Sequence, residues 1–320
     1  MKRAWMRVGA LAAWSLAACA SPQSPTQLVR VTIPRGASVT TVADSLVARG
    51  VIESSGWFRL YTKLVGRETS LQAGVYDLAL GSAASAVVGV LATGRIAQDR
   101  LVLPEGLMLN EIAQAVEAQL GIPADSFRAA AHDAALVRRV GARQPTLEGY
   151  LYPNTYNVRV GATALDVVRQ MVAEFEAQWK PEWNERLDTL NLSRDEIVTL
   201  ASIVEAEVDA HSDRHYVSSV YHNRLARGMR LEADPTVIYA LGERRRLFNR
   251  DYGVESPYNT YLIDGLPPHA IGQPSAASID AALYPRNSDF LFFVAGPGGK
   301  HVFSRTYREH QSAIRAIRSQ

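Results

Sequence analysis

The N-terminal half of the chain contains one local pattern twice, and this repeat limits what that half can fold into. VTIPRGASVTTVADSLVARGVI (residues 31–52) and LVLPEGLMLNEIAQAVEAQLGI (residues 101–122) each place an apolar run before a Pro-x-Gly turn and an amphipathic run after it. The pattern predicts a short strand, a turn and a helix in both copies. Because one strand and one helix cannot bury their apolar faces alone, each copy must pack on further strands or on its twin. LQAGVYDLAL (residues 71–80) is one candidate strand.

The repeated unit resembles the LysM-like module of cell-wall proteins. That resemblance gives residues 29–98 as a LysM-like unit and residues 99–143 as a second LysM-like repeat. It also implies peptidoglycan as a ligand. A purely structural role, in which the repeat positions the rest of the protein above a membrane, is the alternative.

The first residues form a targeting segment rather than part of the fold. A basic start, MKRAWMR, precedes the apolar run VGALAAWSLAA, which is too short to span a bilayer comfortably. The run ends in Leu-Ala-Ala-Cys, which resembles the lipobox of bacterial lipoprotein signals, where the cysteine is lipidated. We therefore expect a signal peptide over residues 1–18, lipidation at Cys19 and a linker over residues 19–28. An uncleaved signal anchor is the alternative, and either one holds the body at a membrane of the bacterial cell envelope, on its extracytoplasmic (periplasmic) side.

Composition excludes some function classes. Cys19 is the only cysteine, so no intrachain disulfide can form. The 34 basic and 32 acidic residues give a formal net charge of +2, which provides no electrostatic reason to expect nucleic acid as the partner. With 320 residues, 47% of them hydrophobic, the chain is long and apolar enough to form globular domains with cores of their own.

The remainder, residues 144–320, has the pattern of a mainly helical domain with a small antiparallel sheet. ALDVVRQMVAEFEAQW and YVSSVYHNRLARG predict amphipathic helices, and Ser193 followed by Glu196 has the form of a capping box that starts another helix. DFLFFVAG and HVFSRT lie on either side of Pro-Gly-Gly and predict a hairpin, and TYREHQSAIRAIR predicts a closing helix. The predicted fold class is α+β, with LysM-like α/β units before this mainly helical domain.

The capped helix carries a glutamate, Glu205, on what the spacing predicts to be its apolar stripe, together with Ala201 and Val208. Glu207 is rotated from Glu205 by about 200° and should point elsewhere. Burial on an apolar stripe would raise the pKa of Glu205 toward ~6, so that it could donate a proton to a leaving oxygen, as glycosidic cleavage requires. The alternative is a half-buried glutamate paired with an arginine such as Arg224.

Two other constellations could carry a reaction. His211 and His215 stand at i and i+4 with His222 near, but the zinc pattern His-Glu-x-x-His is absent and no cysteine offers a ligand there. No Gly-x-Ser-x-Gly elbow provides a serine nucleophile. We therefore predict neither a metal site nor a cofactor.

Two segments are rich in tyrosines, amides and hydroxyls: TLEGYLYPNTYNV (residues 146–158) and SPYNTYLIDGLPPHAIGQP (residues 256–274). Such side chains can stack on a sugar ring and hydrogen-bond to its hydroxyls. A tyrosine-rich turn packed on the core is the alternative. The second segment contains too much Pro and Gly for regular structure, which is typical of a long functional loop.

Five ordered motifs together resemble those of the endolytic murein transglycosylase family (MltG or YceG-like). They are LEGYLYPNTY, ASIVEAE, VYHNRL-x-x-GM-x-LEADPTVIY, SPYNTY-x-x-x-GLPP and FFVA-x-x-x-G-x-H-x-FS. The resemblance covers nearly the whole chain, because that family also joins LysM-like units to a catalytic domain. It implies a lytic transglycosylase that cleaves the β-1,4 bond between N-acetylmuramic acid and N-acetylglucosamine without water and leaves a 1,6-anhydromuramoyl end.

The family pattern also implies roles for particular residues. Its catalytic glutamate matches Glu205, and one carboxyl group suffices because the 6-hydroxyl of the substrate attacks while the same glutamate first donates and then accepts the proton. Further residues of the tyrosine and amide segments would form the glycan cleft. These are Glu148, Tyr152, Tyr156, Asn223, Asp234, Tyr258, Asn259 and Tyr261.

The implied partners are the glycan strands of peptidoglycan, the membrane that holds Cys19, and the peptidoglycan synthases (penicillin-binding proteins) beside which the family trims or terminates nascent strands. The other hypothesis is a non-catalytic peptidoglycan-binding lipoprotein that acts through the repeated N-terminal unit. The two hypotheses differ in whether anhydromuramoyl products form.

Overall fold

A computed structural model describes residues 27–208, 213–297 and 300–319. The predicted signal peptide and Cys19 lie outside these residues. The α+β class is confirmed, with α-helices and three two-stranded antiparallel sheets in the described part of the chain. No helix within these ranges is both long and apolar enough to cross a membrane. The chain divides into two compact units after Ala97.

The first unit is built on the first copy of the repeat. Its elements are β1 (Leu28–Ile33), α1 (Val39–Ala48), α2 (Ser55–Leu64), β2 (Gly74–Ala79) and α3 (Ala84–Thr93). β1 pairs antiparallel with β2, which confirms the strand predicted within residues 71–80. Leu46, Phe58, Tyr76 and Leu91 are fully buried between the sheet and the helices, so this unit has a core of its own.

The second copy of the repeat forms the same local structure at the start of the second unit. The second unit begins with β3 (Gln98–Val102), α4 (Leu109–Leu120), α5 (Ala124–Ala130), α6 (Ala134–Val140) and β4 (Thr155–Arg159), of which β3 and α4 form the repeat. Gly36 and Gly106 both have φ of +73°, so the two Pro-x-Gly turns share one left-handed backbone conformation. β3 takes its antiparallel partner, β4, from beyond residues 99–143, because a lone strand leaves its backbone groups unpaired.

The rest of the second unit is mainly helical, as predicted. Its elements are α7 (Ala164–Gln178), α8 (Pro181–Leu190), α9 (Arg194–Glu207), α10 (Arg214–Ala226), α11 (Asp234–Leu241), α12 (Ala276–Leu283), β5 (Phe292–Ala295), β6 (His301–Ser304) and α13 (Tyr307–Arg318). The Ser193 capping box begins α9, and β5 and β6 form the predicted hairpin. Residues 256–274 contain neither helix nor strand, as their Pro and Gly content predicts.

α9 is the central helix of this unit. α8, α10, α11 and α12 all pack against it, and every residue from Ile197 to Val204 is buried. A helix that is covered on all sides has no single apolar stripe. The expectation of a single apolar stripe is therefore wrong. Glu207 does point away from Glu205, because the two glutamates at the end of α9 face two different sets of neighbours.

Candidate active site

Glu205 is held as an ion pair at the start of another helix. Nη2 of Arg214 lies 3.0 Å from its Oε1, and the two side chains are only 6% and 5% exposed. The backbone N–H and the hydroxyl of Ser275 donate to its Oε2 at 2.9 and 2.5 Å. Ser275 is the N-cap of α12, so the carboxylate also lies at the positive end of that helix.

These contacts reverse the expected direction of the Glu205 pKa. Burial alone would raise it, but hydrogen bonds from Ser275 and Ser278, together with the charge of Arg214, outweigh burial and lower the pKa below its ordinary value. The expectation of a raised pKa is wrong, and the arginine partner is Arg214 rather than Arg224. A carboxyl group held in its ionised form has no proton to donate at neutral pH.

Glu207 lies in the wall of a cavity of about 390 Å³, here called the Glu207 cleft. The Tyr221 hydroxyl donates to its Oε1 at 2.7 Å. Burial raises the pKa of Glu207 to about 7 against the opposing effect of that hydrogen bond, and the negative charge of Asp234 raises it further. Glu207 is also partly exposed, so a ligand in the cleft can reach its carboxyl group. This carboxyl group keeps its proton near neutral pH.

Asp234 is another carboxylate of the Glu207 cleft and begins α11. Two tyrosine hydroxyls donate to it, Tyr261 to Oδ1 at 2.7 Å and Tyr252 to Oδ2 at 3.3 Å. The two rings meet edge to face with centroids 4.7 Å apart, which fixes both hydroxyls. The long loop after α11 therefore brings Tyr261 to the same cleft as the end of α9.

The remaining wall of the Glu207 cleft comes from the C-terminal hairpin and helix. The cleft is lined by Glu207, Arg224, Leu231, Glu232, Asp234, Tyr261, Phe292, Phe293, Val294, Ala295, His301, Tyr307, His310 and Ile314. Of the site residues predicted from the sequence, Asp234 and Tyr261 are in this set. The other residues predicted to act in catalysis or glycan binding lie elsewhere in the second unit.

The match to known proteins extends over nearly the whole chain. The model of the YceG-like family matches residues 31–316. This chain belongs to the YceG-like family. An endolytic murein transglycosylase of Bacillus subtilis is 32% identical over 302 residues, which cover 89% of this chain and 83% of that protein.

Two further relatives show the same relationship. An endolytic murein transglycosylase of Streptococcus pneumoniae is 29% identical over 319 residues, and the match spans 89% of this chain and 58% of that protein. A crystal structure of a YceG-like protein from Listeria monocytogenes has a TM-score of 0.63 and 33% sequence identity, and it covers 90% of this chain and 100% of that one.

Several residues predicted to bind glycan have internal partners in this YceG-like protein. Glu148 is 3% exposed and accepts hydrogen bonds from the N–H of Leu109, from Gln273 and from the Tyr239 hydroxyl. Burial raises its pKa to about 8. Tyr156 is 4% exposed on β4. In this arrangement Glu148 joins α4 to the loop before α12, and Tyr156 belongs to the core.

The predicted amides hold the backbone of the second unit. Asn223 donates to the carbonyls of Ser288 and Phe290, both at 2.9 Å. Asn259 is fully buried and donates to the carbonyls of Tyr252 and Val254 at 3.0 and 2.8 Å. Asn259 thereby holds the loop that carries Tyr252 and Tyr261, and Asn223 holds the segment before β5, so both amides support the cleft from outside it.

Tyr152 and Tyr258 take part in hydrogen bonds away from the Glu207 cleft. The Tyr152 carbonyl accepts from the Tyr156 hydroxyl at 2.5 Å. The Tyr258 hydroxyl lies 2.5 Å from Nε2 of His269, and its ring packs on Tyr239 with centroids 4.8 Å apart. Both tyrosines are half-buried, and their hydroxyls have pKa values raised mainly by burial.

The histidines weighed as metal ligands have other partners where they are described. His211 lies outside the described residues. His215 Nδ1 lies 2.7 Å from the carbonyl of Tyr284, and His222 Nε2 lies 2.8 Å from the carbonyl of Ala282. No group of three or more His, Cys, Asp or Glu side chains with metal-binding geometry occurs within residues 27–208, 213–297 and 300–319.

The sequence pattern favoured Glu205 as the catalytic residue, whereas the geometry of the site favours Glu207. Glu207 was placed away from the site because only one apolar stripe was considered. The signal that could have found it is the unbroken apolar and small run IVTLASIV of α9, which indicates a helix buried on all sides. On such a helix both glutamates face protein, and their partners decide which one keeps a proton.

Proposed function

We propose that this YceG-like protein is an endolytic murein transglycosylase and that Glu207 is its proton donor. The names of the relatives support the activity and give no support to the non-catalytic alternative. The single observation that carries the residue assignment is the Glu207 carboxyl group, which lines the cleft with a pKa raised to about 7 by burial. The ion-paired Glu205, with its lowered pKa, is a poorer donor, and its catalytic role stays an untested prediction.

The reaction needs one proton that leaves and returns. Glu207 donates its proton to the glycosidic oxygen, and the bond between that oxygen and C1 of N-acetylmuramic acid breaks, with its electron pair remaining on the oxygen. The oxygen becomes the 4-hydroxyl of the released N-acetylglucosamine. The 6-hydroxyl of the same muramic acid then bonds to C1, and its proton returns to Glu207. No water is consumed, and Glu207 ends in the protonated state in which it began.

The neighbours of Glu207 suit both halves of this cycle. The Tyr221 hydroxyl occupies Oε1, so the transferable proton belongs on Oε2. The negative charge of Asp234, which accepts hydrogen bonds from two tyrosine hydroxyls, favours the protonated form of Glu207. Its charge in the same cleft would also stabilise the positive charge that develops at C1 as the bond breaks.

The finer assignments belong to the same proposal. Residues 29–98 and 99–143 act as LysM-like glycan-binding units, supported by the repeated strand, turn and helix. A lipid on Cys19 holds the protein at the envelope, with the catalytic unit on the extracytoplasmic side. There it terminates nascent strands beside peptidoglycan synthases. Asp234 and Tyr261 contact the glycan directly, whereas direct contacts by Glu148, Tyr152, Tyr156, Asn223, Tyr258 and Asn259 stay predictions.

The reaction class is tested by the chemistry of the ends that the protein makes. Purified peptidoglycan is digested with the full-length protein, and the ends are identified by mass spectrometry with and without borohydride reduction. A transglycosylase gives anhydromuramoyl ends that borohydride leaves unchanged. Reducing ends would identify a hydrolase, and retention on peptidoglycan without any new end would support the binding lipoprotein.

A further inference from the structure

The motif FFVA-x-x-x-G-x-H-x-FS and the helix after it form a wall of the Glu207 cleft to which the proposed reaction assigns no role. Phe292 from β5 and both Tyr307 and His310 from α13 line the same cleft as Glu207. The imidazole of His310 stacks on Phe292 with centroids 5.4 Å apart and an interplanar angle of 23°. Tyr307 packs against Phe292 at 5.9 Å. Three rings therefore meet in this wall of the cleft.

These rings differ in how much of their surface a ligand can contact. The guanidinium of Arg224 lies over Phe292 at 5.1 Å, and His310 stacks on the same ring, so Phe292 is the base of the group. Tyr307 is 62% exposed although it is a large aromatic side chain that lines a cavity. Its hydroxyl already accepts a hydrogen bond from Gln311 at 2.6 Å, which orients the ring.

His310 adds a polar group without a charge. Its Nδ1 is buried and has no hydrogen-bond partner among the residues that the structure describes. A buried N–H without an acceptor is costly, so the proton of the neutral ring belongs on Nε2, and His310 brings this donor to the wall of the cleft that it lines. Burial and the nearby Arg224 lower the pKa of His310, so the ring is neutral at neutral pH.

A neutral donor beside an exposed aromatic face fits a sugar ring. The C–H bonds on one face of a pyranose pack on the electron-rich face of an aromatic ring, and its hydroxyls or N-acetyl carbonyl accept from a neutral N–H. The cation of this wall, Arg224, already pairs with Glu232 and donates to the carbonyls of Leu291 and Leu231, so it does not favour an anionic ligand. A purely apolar ligand would leave the His310 donor unpaired.

We propose that Tyr307 and His310, supported by Phe292, form a sugar-binding subsite that holds one N-acetylhexosamine of the glycan strand next to the residue being cleaved. The proposal rests on the proposed function, because it takes the strand in the Glu207 cleft to be peptidoglycan glycan. Its place on α13 makes the C-terminal helix part of the substrate site. The subsite contributes binding rather than chemistry.

The test compares variants of α13 in the full-length protein. Tyr307→Ala removes the ring at an exposed first-turn position, where alanine favours the helix, so the fold should be kept. We expect KM for soluble uncrosslinked glycan strands to rise about threefold to tenfold, with kcat little changed. Tyr307→Phe keeps the ring and loses only the bond from Gln311, so it should recover most of the binding that Tyr307→Ala loses. Arg308→Ala, an exposed neighbour on the same helix that does not line the cleft, is the matched control.

A second variant tests the donor. His310→Phe keeps a ring on Phe292 and removes the N–H, and it should raise KM by about threefold. The subsite is refuted if Tyr307→Ala and His310→Phe have the same KM as Arg308→Ala.

Binding of an inactive variant to insoluble peptidoglycan tests the subsite independently of the proposed reaction. In the Glu207→Gln background, Tyr307→Ala should lower retention on insoluble peptidoglycan, whereas Arg308→Ala should not. If the wild type makes no anhydromuramoyl ends but the retention difference appears, the subsite stands and the proposed reaction fails. Equal retention of the two α13 variants would overturn the subsite even if the enzyme is active.

Discussion

Two carboxyl groups at the end of one helix, Glu205 and Glu207, lie in opposite electrostatic surroundings. Glu205 meets a cation, Arg214, and the N-terminus of α12, and its pKa is lowered. Glu207 meets a tyrosine hydroxyl and a second carboxylate, Asp234, and its pKa is raised to about 7. Both are largely enclosed by protein, so burial alone does not separate them. The sign of the neighbouring charge does.

The difference has a structural origin in how α9 is packed. α10 and α12 supply Arg214 and Ser275 to one side of the helix end, and α11 supplies Asp234 to the side that opens into the cleft. The first arrangement stabilises the fold by tying three helices together. The second stores a proton beside a space large enough for a ligand. The predictions below test this division of roles.

The largest expected effect is on catalysis at Glu207. Glu207→Gln keeps the size of the side chain and can still bond to Tyr221, but it removes the transferable proton. We expect kcat for the formation of anhydromuramoyl ends to fall about a hundredfold to ten-thousandfold. Steady-state digestion of purified glycan strands, with end groups counted by mass spectrometry, measures it.

The control for this variant is its stability. Glu207→Gln removes no ion pair, so circular dichroism and the melting temperature should match those of the wild type. Near-normal activity in a folded Glu207→Gln protein would remove Glu207 from the mechanism.

The next largest effect is on stability at Glu205. Glu205→Gln removes the negative charge that lies 3.0 Å from the buried Arg214 guanidinium, and we expect the free energy of unfolding to fall by about 3–5 kcal/mol. Urea denaturation followed by circular dichroism measures it. At temperatures where the variant is folded, it should still form anhydromuramoyl ends.

A double-mutant cycle sharpens this second prediction. Arg214→Met alone should also destabilise the protein, and the double variant should lose less than the sum of the two single losses, because the charges are removed together. Additive losses, or a Glu205→Gln protein as stable as the wild type, would contradict the structural role of the pair.

The smallest expected effect is a shift in the pH dependence of kcat/KM. The active form carries the proton on Glu207, so activity should be highest below pH 7 and fall as the pH rises through about 7. Asp234→Asn removes a charge that raises this pKa and should move the fall to lower pH. Tyr221→Phe removes a hydrogen bond that lowers it and should move the fall to higher pH. Shifts in the same direction would show that these neighbours do not act on Glu207 as described.

The sequence predicts those parts of this fold that depend on local interactions. The Pro-x-Gly turns, the Ser193 capping box and the C-terminal hairpin were all found from short-range patterns, and all are present. The side of α9 that holds the donor could not be found that way. Arg214 and Ser275 lie 9 and 70 residues from Glu205, and no periodicity encodes which of them reaches it.

The same limit applies to the polar segments. Their composition predicted a glycan surface, and Asp234 and Tyr261 do line the cleft. Asn259 and Glu148 are polar residues of the same two segments, but their hydrogen bonds hold a loop and a helix end. A polar side chain that binds a ligand and one that satisfies buried backbone groups look alike until the partners are known.

The central claim is that Glu207, and not Glu205, keeps a proton near neutral pH. The most direct measurement is a carbon-13 NMR titration of the glutamate side-chain carboxyl groups in the labelled full-length protein, compared with its Glu207→Gln and Glu205→Gln variants. We predict a carboxyl signal that titrates near pH 7 and disappears only in Glu207→Gln, beside the signal of Glu148, whose pKa burial raises to about 8 and which persists in both variants. A signal with that pKa that disappears in Glu205→Gln instead, or a Glu207 that titrates near its ordinary value, would contradict the account.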